Sequence, residues 1–322
     1  VTPRTFIASI SAIIAVGATP IFADIDPKNQ NISLETILPV VTTKTRGIIC
    51  VHLAGWPCDM APIMDFANQH AIVIIEDCAQ AHGAKYKGKS VGALGHVAAW
   101  SFCQDKIMST GGEGGMLTTN EKAIWQAAWS YKDHGKSQEK VNQLAAEPNK
   151  DYRFKWLHES FGSNFRMTEM QAAIGNYQLS QLPEWTKTRA LNAQAILTTC
   201  QDFGLFAPIP TADIQHAWYK CYAFVDHSQF NQGWHRDRLV NELNALGLPC
   251  FTGICPEVYR EKAIINKQLA PKTPLKNAQS LGESSLMFLV HPTLDEAYRH
   301  FAKATLKQVL SCAIDIQVAA NS

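Results

Sequence analysis

Along the first hundred residues, short apolar runs alternate with stretches of helical periodicity. The runs at 18–24 (ATPIFAD), 46–53 (RGIICVHL), 71–77 (AIVIIED) and 97–103 (VAAWSFC) are rich in branched residues and almost continuously hydrophobic. Continuous rather than alternating apolar character predicts strands covered on both faces, as in a parallel sheet. Between two of them, MAPIMDFANQHA places Met60, Ile63, Met64 and Phe66 or Ala67 at helical spacing, which predicts a helix packed on that sheet. The earlier run FIASISAIIAVGATPIF predicts a helix followed by a strand. Its Ser9, Ser11, Gly17 and Pro20, without a basic flank, argue against a membrane span or signal peptide.

Further along, the polar, weakly patterned residues 137–155 predict a surface loop. RMTEMQAAIGNYQLSQLPEWTKTRALNAQAIL is helical but interrupted at Pro183, so two helices or one bent helix are expected. HAWYKCYAFVD alternates as a sheet strand does, and WHRDRLVNELNALG is an amphipathic helix closed by a glycine cap. A last helix begins near residue 294. The expected architecture is α/β: a large domain with a mainly parallel sheet over 1–190, and a smaller α+β domain over 191–322.

Composition narrows the functional classes. The 322 residues are 46% hydrophobic and 18% charged, as in ordinary globular proteins. A net charge of +1, from 29 basic and 28 acidic residues, leaves no global field to gather nucleic acid or an anionic membrane. Nine cysteines, mostly inside apolar runs and without CxxC spacing, predict reduced thiols and a cytosolic address.

Candidate chemistry lies at two strand ends, where open parallel sheets bind their ligands. AIVIIED finishes at Glu76 and Asp77 and continues through Gln80 to His82, while VAAWSFC passes Ser101 and leads through Asp105 to Lys106 and then TGGEGG. A carboxylate and a lysine so placed read either as a surface ion pair, worth about 0–1 kcal/mol, or as the two ends of a site for an aldehyde cofactor. In the second reading the Lys amine forms a Schiff base with pyridoxal phosphate and the carboxylate pairs with the pyridinium nitrogen. Ser101 would then hydrogen-bond the phosphate. The glycines let backbone approach a bulky group, and they equally predict a hairpin between 98–103 and 115–119. His52, Cys58, Cys78 and His82 can be drawn as a metal site, but no paired local motif supports zinc.

In chain order, the segments TFIASISAIIAVGATPIFADID, VHLAGWPCDM, VIIEDCAQAHGAKYKGKSVGALG, WSFCQDKIMSTGGEGGMLTTN, YKDHG and FGSNFRMTEMQAAIG resemble the DegT/DnrJ/EryC1/StrS family of sugar aminotransferases of fold type I. The resemblance implies pyridoxal 5'-phosphate as cofactor. Lys106 matches the lysine that holds it and moves the proton, and Asp77 the aspartate at the ring nitrogen. Gln80 matches a glutamine on the ring, Ser101 a phosphate-binding serine, and Asn164 an asparagine that reaches the cofactor phosphate of the neighbouring subunit. A homodimer with a shared active site is implied, with glutamate and a nucleotide-diphosphate keto sugar as substrates. Lys106 argues against the related dehydratases, which carry histidine there.

The wording of SFCQDKIMSTGGEGGM, HLAGWPCDM and SLMFLVHPTL is similar to the branch that makes perosamine-type and 4-amino-4,6-dideoxy sugars of surface polysaccharide. His96 stands where the family usually has aspartate, and a local structural role is expected for it. Family members carry a further N-terminal segment with a phosphate loop at a helix N-terminus, and the chain is expected to be a fragment lacking it. His134 and His291 occupy family-like positions near the site mouth. Tyr219, Lys220, Arg236 and Arg238 are candidates for the substrate diphosphate. Two further readings stand beside the enzyme: a non-catalytic regulatory or scaffold member of the same fold, and a nucleotide-binding α/β protein, for which the chain has no GxGxxG or Walker-type loop.

Overall fold

The computed structural model describes residues 1–146 and 153–314. Among them the strands are β1 (Gly47–Val51), β2 (Val73–Asp77), β3 (Lys85–Tyr86), β4 (Lys89–Ser90), β5 (Val97–Ser101), β6 (Gly115–Thr118), β7 (Ile214–Gln215), β8 (Cys221–Phe224), β9 (Cys250–Phe251) and β10 (Ser285–Phe288). The helices are α1 (Ala8–Ala15), α2 (Leu34–Ile37), α3 (Met60–Gln69), α4 (Lys122–Lys132), α5 (Gln138–Ala146), α6 (Glu169–Asp202), α7 (Arg236–Ala245), α8 (Lys262–Ile265), α9 (Lys276–Ser284) and α10 (Glu296–Ala313).

The first sheet has the order β1-β2-β5-β6, with β1, β2 and β5 parallel and β6 antiparallel. The three strands predicted at 46–53, 71–77 and 97–103 are thus present and parallel, and the hairpin across the glycines is present as β5–β6. Helix α3 lays Met60, Ile63 and Ala67 against the sheet, with Met64 and Phe66 only partly covered. A second sheet, β8-β10-β9, is antiparallel and shares a core with α7, α10 and the last turns of α6. All four β8 residues are buried, so the expected alternation in HAWYKCYAFVD gives a strand covered on both faces. A small ladder, β4-β3-β7, links the first sheet's connection to residues 214–215.

Two expectations are corrected. Residues 18–24 form no strand. Pro20 has no N–H to give a ladder, and Asp24 turns its carboxylate to the N-terminus of α9, accepting from the N–H groups of Asn277 (2.9 Å) and Ala278 (3.0 Å). The segment is therefore spent on capping a distant helix. The loop expected at 137–155 contains α5, which the Lys140–Glu159 pair at 2.8 Å ties to the returning chain, while 153–155 have no regular structure and 147–152 lie outside the described residues.

Helix α6 runs unbroken through Pro183 for 34 residues. Its start is a capping box: the Gln171 N–H donates to Thr168 Oγ1 at 3.3 Å and the Thr168 N–H to Gln171 Oε1 at 3.1 Å. Its second half is fixed by burial of Asn192, Ala193, Ile196, Leu197 and Cys200. Packing there outweighs the donor lost at Pro183. Helices α7 and α10 start at side-chain caps from His235 and Asp295, and Gly247 follows α7 at φ +85°, as the glycine cap predicted. All nine cysteines are free thiols, and no helix among the described residues is long and apolar enough to cross a membrane.

Candidate active site

Parallel pairing brings the ends of β1, β2 and β5 to one sheet edge. Asp77 closes β2 opposite Ala99 of β5, its carbonyl takes the His52 N–H at 3.2 Å, and Ser101 follows two residues after Ala99. Glu76, one residue before Asp77, points into the interior and is consumed there. Its Oε1 accepts the N–H groups of Leu94 (2.8 Å) and Gly95 (2.7 Å), and its Oε2 those of Gly92 (2.8 Å) and His52 Nε2 (3.0 Å). Burial would raise the Glu76 carboxyl, but His52 and the backbone N–H groups of Gly95 and Gly92 outweigh it and hold it below the ordinary range.

This cage explains the candidate metal residues. His52, Glu76 and Cys78 bring ligand atoms within 4.8 Å of one another. Yet His52 Nδ1 accepts the Cys58 N–H at 3.0 Å and Nε2 donates to Glu76, and the Cys58 thiol donates to the Val51 carbonyl at 3.3 Å. The polar side-chain atoms of His52, Glu76 and Cys58 thus serve the strand ends. His96 likewise has a structural job: its Nδ1 accepts the Ile74 N–H at 3.0 Å.

Asp77 is differently placed. Its Oδ2 accepts from the Ser9 hydroxyl of α1 at 2.9 Å and its Oδ1 from the Ala79 N–H at 3.1 Å. Both donors are neutral, and among the described residues no cationic side chain pairs with it. Gln80 Oε1 accepts the Ala54 N–H at 2.7 Å, which locks it to the loop after β1. Gly55 in that loop, at φ +95°, is obligatory: a Cβ there would stand 2.9 Å from the Ala217 Cβ and 3.0 Å from the Gln80 carbonyl oxygen. Ser101 Oγ accepts the Cys103 N–H at 3.3 Å, which leaves its own proton available to an anion.

Lys106 emerges from the loop after β5 with a side chain only 18% exposed. Its Nζ lies 3.2 Å from Asp105 Oδ1 and 5.4 Å from the Tyr219 ring centroid, and the Tyr219 hydroxyl donates to Asp105 Oδ2 at 2.7 Å. Burial would raise the Asp105 carboxyl, but Tyr219 and Lys106 prevail and keep it low. Burial and the Asp105 charge push the Tyr219 phenol up, so it stays a donor. The glycine turn is clamped on α6: Gln178 Oε1 takes the Ser109 N–H at 2.8 Å, and Gln171 Nε2 donates to the Glu113 carbonyl at 2.8 Å. Gly114 cannot be replaced without movement, since a Cβ would sit 2.1 Å from Thr110 Oγ1. The glycines therefore fix where Lys106 leaves the loop.

His82 is buried between Trp100 and Phe102, at ring separations of 5.2 and 5.7 Å, with neither nitrogen hydrogen-bonded. Burial, with the Lys106 charge, holds its imidazole at about 4. Asn164 stands apart: it bridges Asp133, its Oδ1 accepts the Arg166 N–H at 3.3 Å, and no bond joins it to Lys106, Asp77, Gln80 or Ser101. His134 takes a left-handed conformation and His291 bonds Thr293 Oγ1 at 2.8 Å. Arg236 donates to the Gly282 and Ser285 carbonyls at 3.1 Å each, and Arg238 to Gly233 while lying over Trp234, so both support local backbone. Sequence reading missed Arg189 of α6, whose Nη1 donates to the Trp218 carbonyl at 3.2 Å; no local pattern distinguishes it from a surface arginine.

Comparison with known proteins shows the family and the fold. The family described as DegT/DnrJ/EryC1/StrS aminotransferase matches residues 1–303. The GDP-perosamine synthase of Escherichia coli O157:H7 is 42% identical over 181 residues, 56% of this chain, and the chain spans only 46% of that protein's length. The GDP-perosamine synthase of Caulobacter vibrioides is 39% identical over 95% of this chain and 77% of its own. Among solved structures, the aminotransferase from Psychrobacter cryohalolentis is 52% identical with a TM-score of 0.92, covering 97% of this chain and 80% of that one.

Proposed function

The chain belongs to the DegT/DnrJ/EryC1/StrS aminotransferase family and has the fold type I architecture, and from that premise we propose that it is a pyridoxal-phosphate-dependent aminotransferase acting on a nucleotide-linked keto deoxysugar. The observation that carries this reading is the pairing of β2 with β5, which puts Asp77 and the Ser101–Lys106 segment at one sheet edge. The described residues fit the cofactor. Asp77 is a carboxylate with neutral donors only, suited to a protonated ring nitrogen, and Ser101 keeps a hydroxyl proton for a phosphate.

When bound, the cofactor supplies an aldehyde for amines and a ring that withdraws electrons. Lys106 would hold it, and its amine would take up and return the proton of the amino-bearing carbon. Asp105 and Tyr219 orient the Lys106 amine, which the hairpin loop keeps largely out of water. Asp77, itself steadied by Ser9 and the Ala79 N–H, would keep the ring nitrogen protonated. Gln80, fixed to the Ala54 N–H, would be a contact for the ring.

Glutamate is the proposed amino donor, the acceptor is a 3- or 4-keto deoxysugar destined for surface polysaccharide, and the proposed address of the protein is the cytoplasm. The names of the relatives support that class of acceptor. We propose also a homodimer, in which Asn164 serves the partner's site. One face of α6 carries Met170 (77% exposed), Ile174 (41%) and Tyr177 (70%), an apolar stripe of the kind a second copy covers. The division into 1–190 and 191–322 is proposed on the change of core along α6, whose second half alone joins the β8-β10-β9 core.

The test is the visible absorbance of the purified protein with added pyridoxal phosphate, before and after glutamate, beside Lys106→Ala. A band that requires Lys106 and collapses with glutamate supports the reading. A band that is absent, or that persists in Lys106→Ala, removes it and favours the non-catalytic member of the fold.

A further inference from the structure

Two lysines lie over one aromatic side chain beside the proposed reaction centre, and a buried arginine joins the residue before it. The Tyr219 ring lies 5.4 Å from Lys106 Nζ and 4.8 Å from Lys220 Nζ, and the preceding residue, Trp218, gives its carbonyl to Arg189 Nη1. Arg189 is 3% exposed, and its Nε has no hydrogen-bond partner. Asp105, bonded to Lys106 and Tyr219, is the carboxylate that answers this group, and its own side chain is 57% exposed. A buried guanidinium without an acid is an expensive arrangement unless something else supplies the negative charge.

The electrostatics agree with the geometry. Burial pulls the Arg189 guanidinium down to about 10. Burial also lowers the Lys220 ammonium; Asp105 opposes this, while Arg189 and Lys106 push the same way as burial. His291 completes the group, its imidazole lowered by burial and by the charges of Arg189 and Lys220. An excess of positive charge in a half-buried site is relieved by an oxyanion, and the planar fork of an arginine beside the point charge of a lysine suits a carboxylate or a phosphate.

We infer that Arg189 and Lys220 form an oxyanion seat next to Lys106, which positions the carboxylate or phosphate of a substrate over the reacting amine. That the oxyanion belongs to a substrate rests on the aminotransferase reading; the seat itself rests on the side chains.

The experiment is isothermal titration of the full chain, loaded with cofactor, with 2-oxoglutarate and separately with inorganic pyrophosphate. Wild type is compared with Lys220→Met, Lys220→Arg and Arg189→Met. Both methionine variants are expected to bind one of the probes at least ~10-fold more weakly, about 1.4 kcal/mol, with most of the affinity retained in Lys220→Arg. Loss for 2-oxoglutarate assigns the seat to the amino donor, and loss for pyrophosphate assigns it to the nucleotide sugar. Affinities within about twofold of wild type for both probes in Lys220→Met overturn the seat, as does wild type that binds neither. Should Arg189→Met fail to fold, Lys220→Met still decides. If wild type shows no Lys106-dependent visible band, the aminotransferase reading fails while the titrations still judge the seat.

Discussion

Glu76→Gln is the substitution whose cost can be worked most directly from the structure. The carboxylate accepts four bonds of 2.7–3.0 Å, two on each oxygen, with its side chain wholly buried. His52 Nδ1 accepts from the Cys58 N–H, so the ring proton sits on Nε2 and points at Glu76. A glutamine offers one oxygen and one NH2 group. Whichever way it turns, two of the four donors lose their acceptor and face another donor. At about 1–3 kcal/mol for each buried group left unsatisfied, the change costs about 2–6 kcal/mol. With a urea slope of about 3 kcal/mol/M or steeper for a chain of this size, the midpoint of the transition reporting the first sheet should fall by about 1 M. Amide exchange at Gly92, Leu94 and Gly95 should accelerate with it. Because the Glu76 pKa is lowered in the folded protein, its contribution is complete above the unfolded carboxyl value and fades as pH falls through the folded one. The gap between wild type and variant should therefore narrow in acid. A neutral-pH midpoint unchanged by the substitution would refute the cage as the device that sets the β2–β5 edge.

Other consequences follow from single side chains. Asp77→Asn should weaken cofactor retention about 10-fold or more, measured by equilibrium dialysis of pyridoxal phosphate, because a neutral amide no longer favours a protonated ring nitrogen; unchanged retention would remove Asp77 from the site. Ser9→Ala takes one donor from Asp77 and should cost about 0.5–1.5 kcal/mol of stability by urea unfolding. Gly55→Ala forces a side chain at φ +95° against Ala217 and the Gln80 carbonyl, so a loss greater than about 1 kcal/mol is expected; a midpoint equal to wild type would show that the loop yields freely. His82, held at about 4, and His216, held by burial at about 3, bind protons more readily when unfolded. Stability should accordingly fall with pH below the ordinary histidine value of about 6.5, by up to about 1.4 kcal/mol per pH unit for each group. His82→Phe should flatten that limb, and an unaltered limb would assign it elsewhere.

Much of this protein is legible in its sequence because the signals are local. Continuous apolar runs marked β1, β2 and β5, the spacing of Met60, Ile63 and Ala67 marked α3, and Gly247 marked the end of α7, each through contacts within a few residues. The strand end with Asp77 and the glycine turn after Lys106 could likewise be picked out as places for chemistry. Tertiary structure decided the rest, because the deciding partners are far apart in sequence. Asp24 abandoned a strand to cap α9, bonding residues 253 and 254 positions away. Tyr219 reaches Asp105 across 114 residues, and Arg189 joins the group only when α6 packs against the Trp218 carbonyl. Of the adjacent acids Glu76 and Asp77, sequence cannot say which is spent on the fold. The alternation of a strand sends the first into a ring of four donors and leaves the second at the edge, with charge to offer.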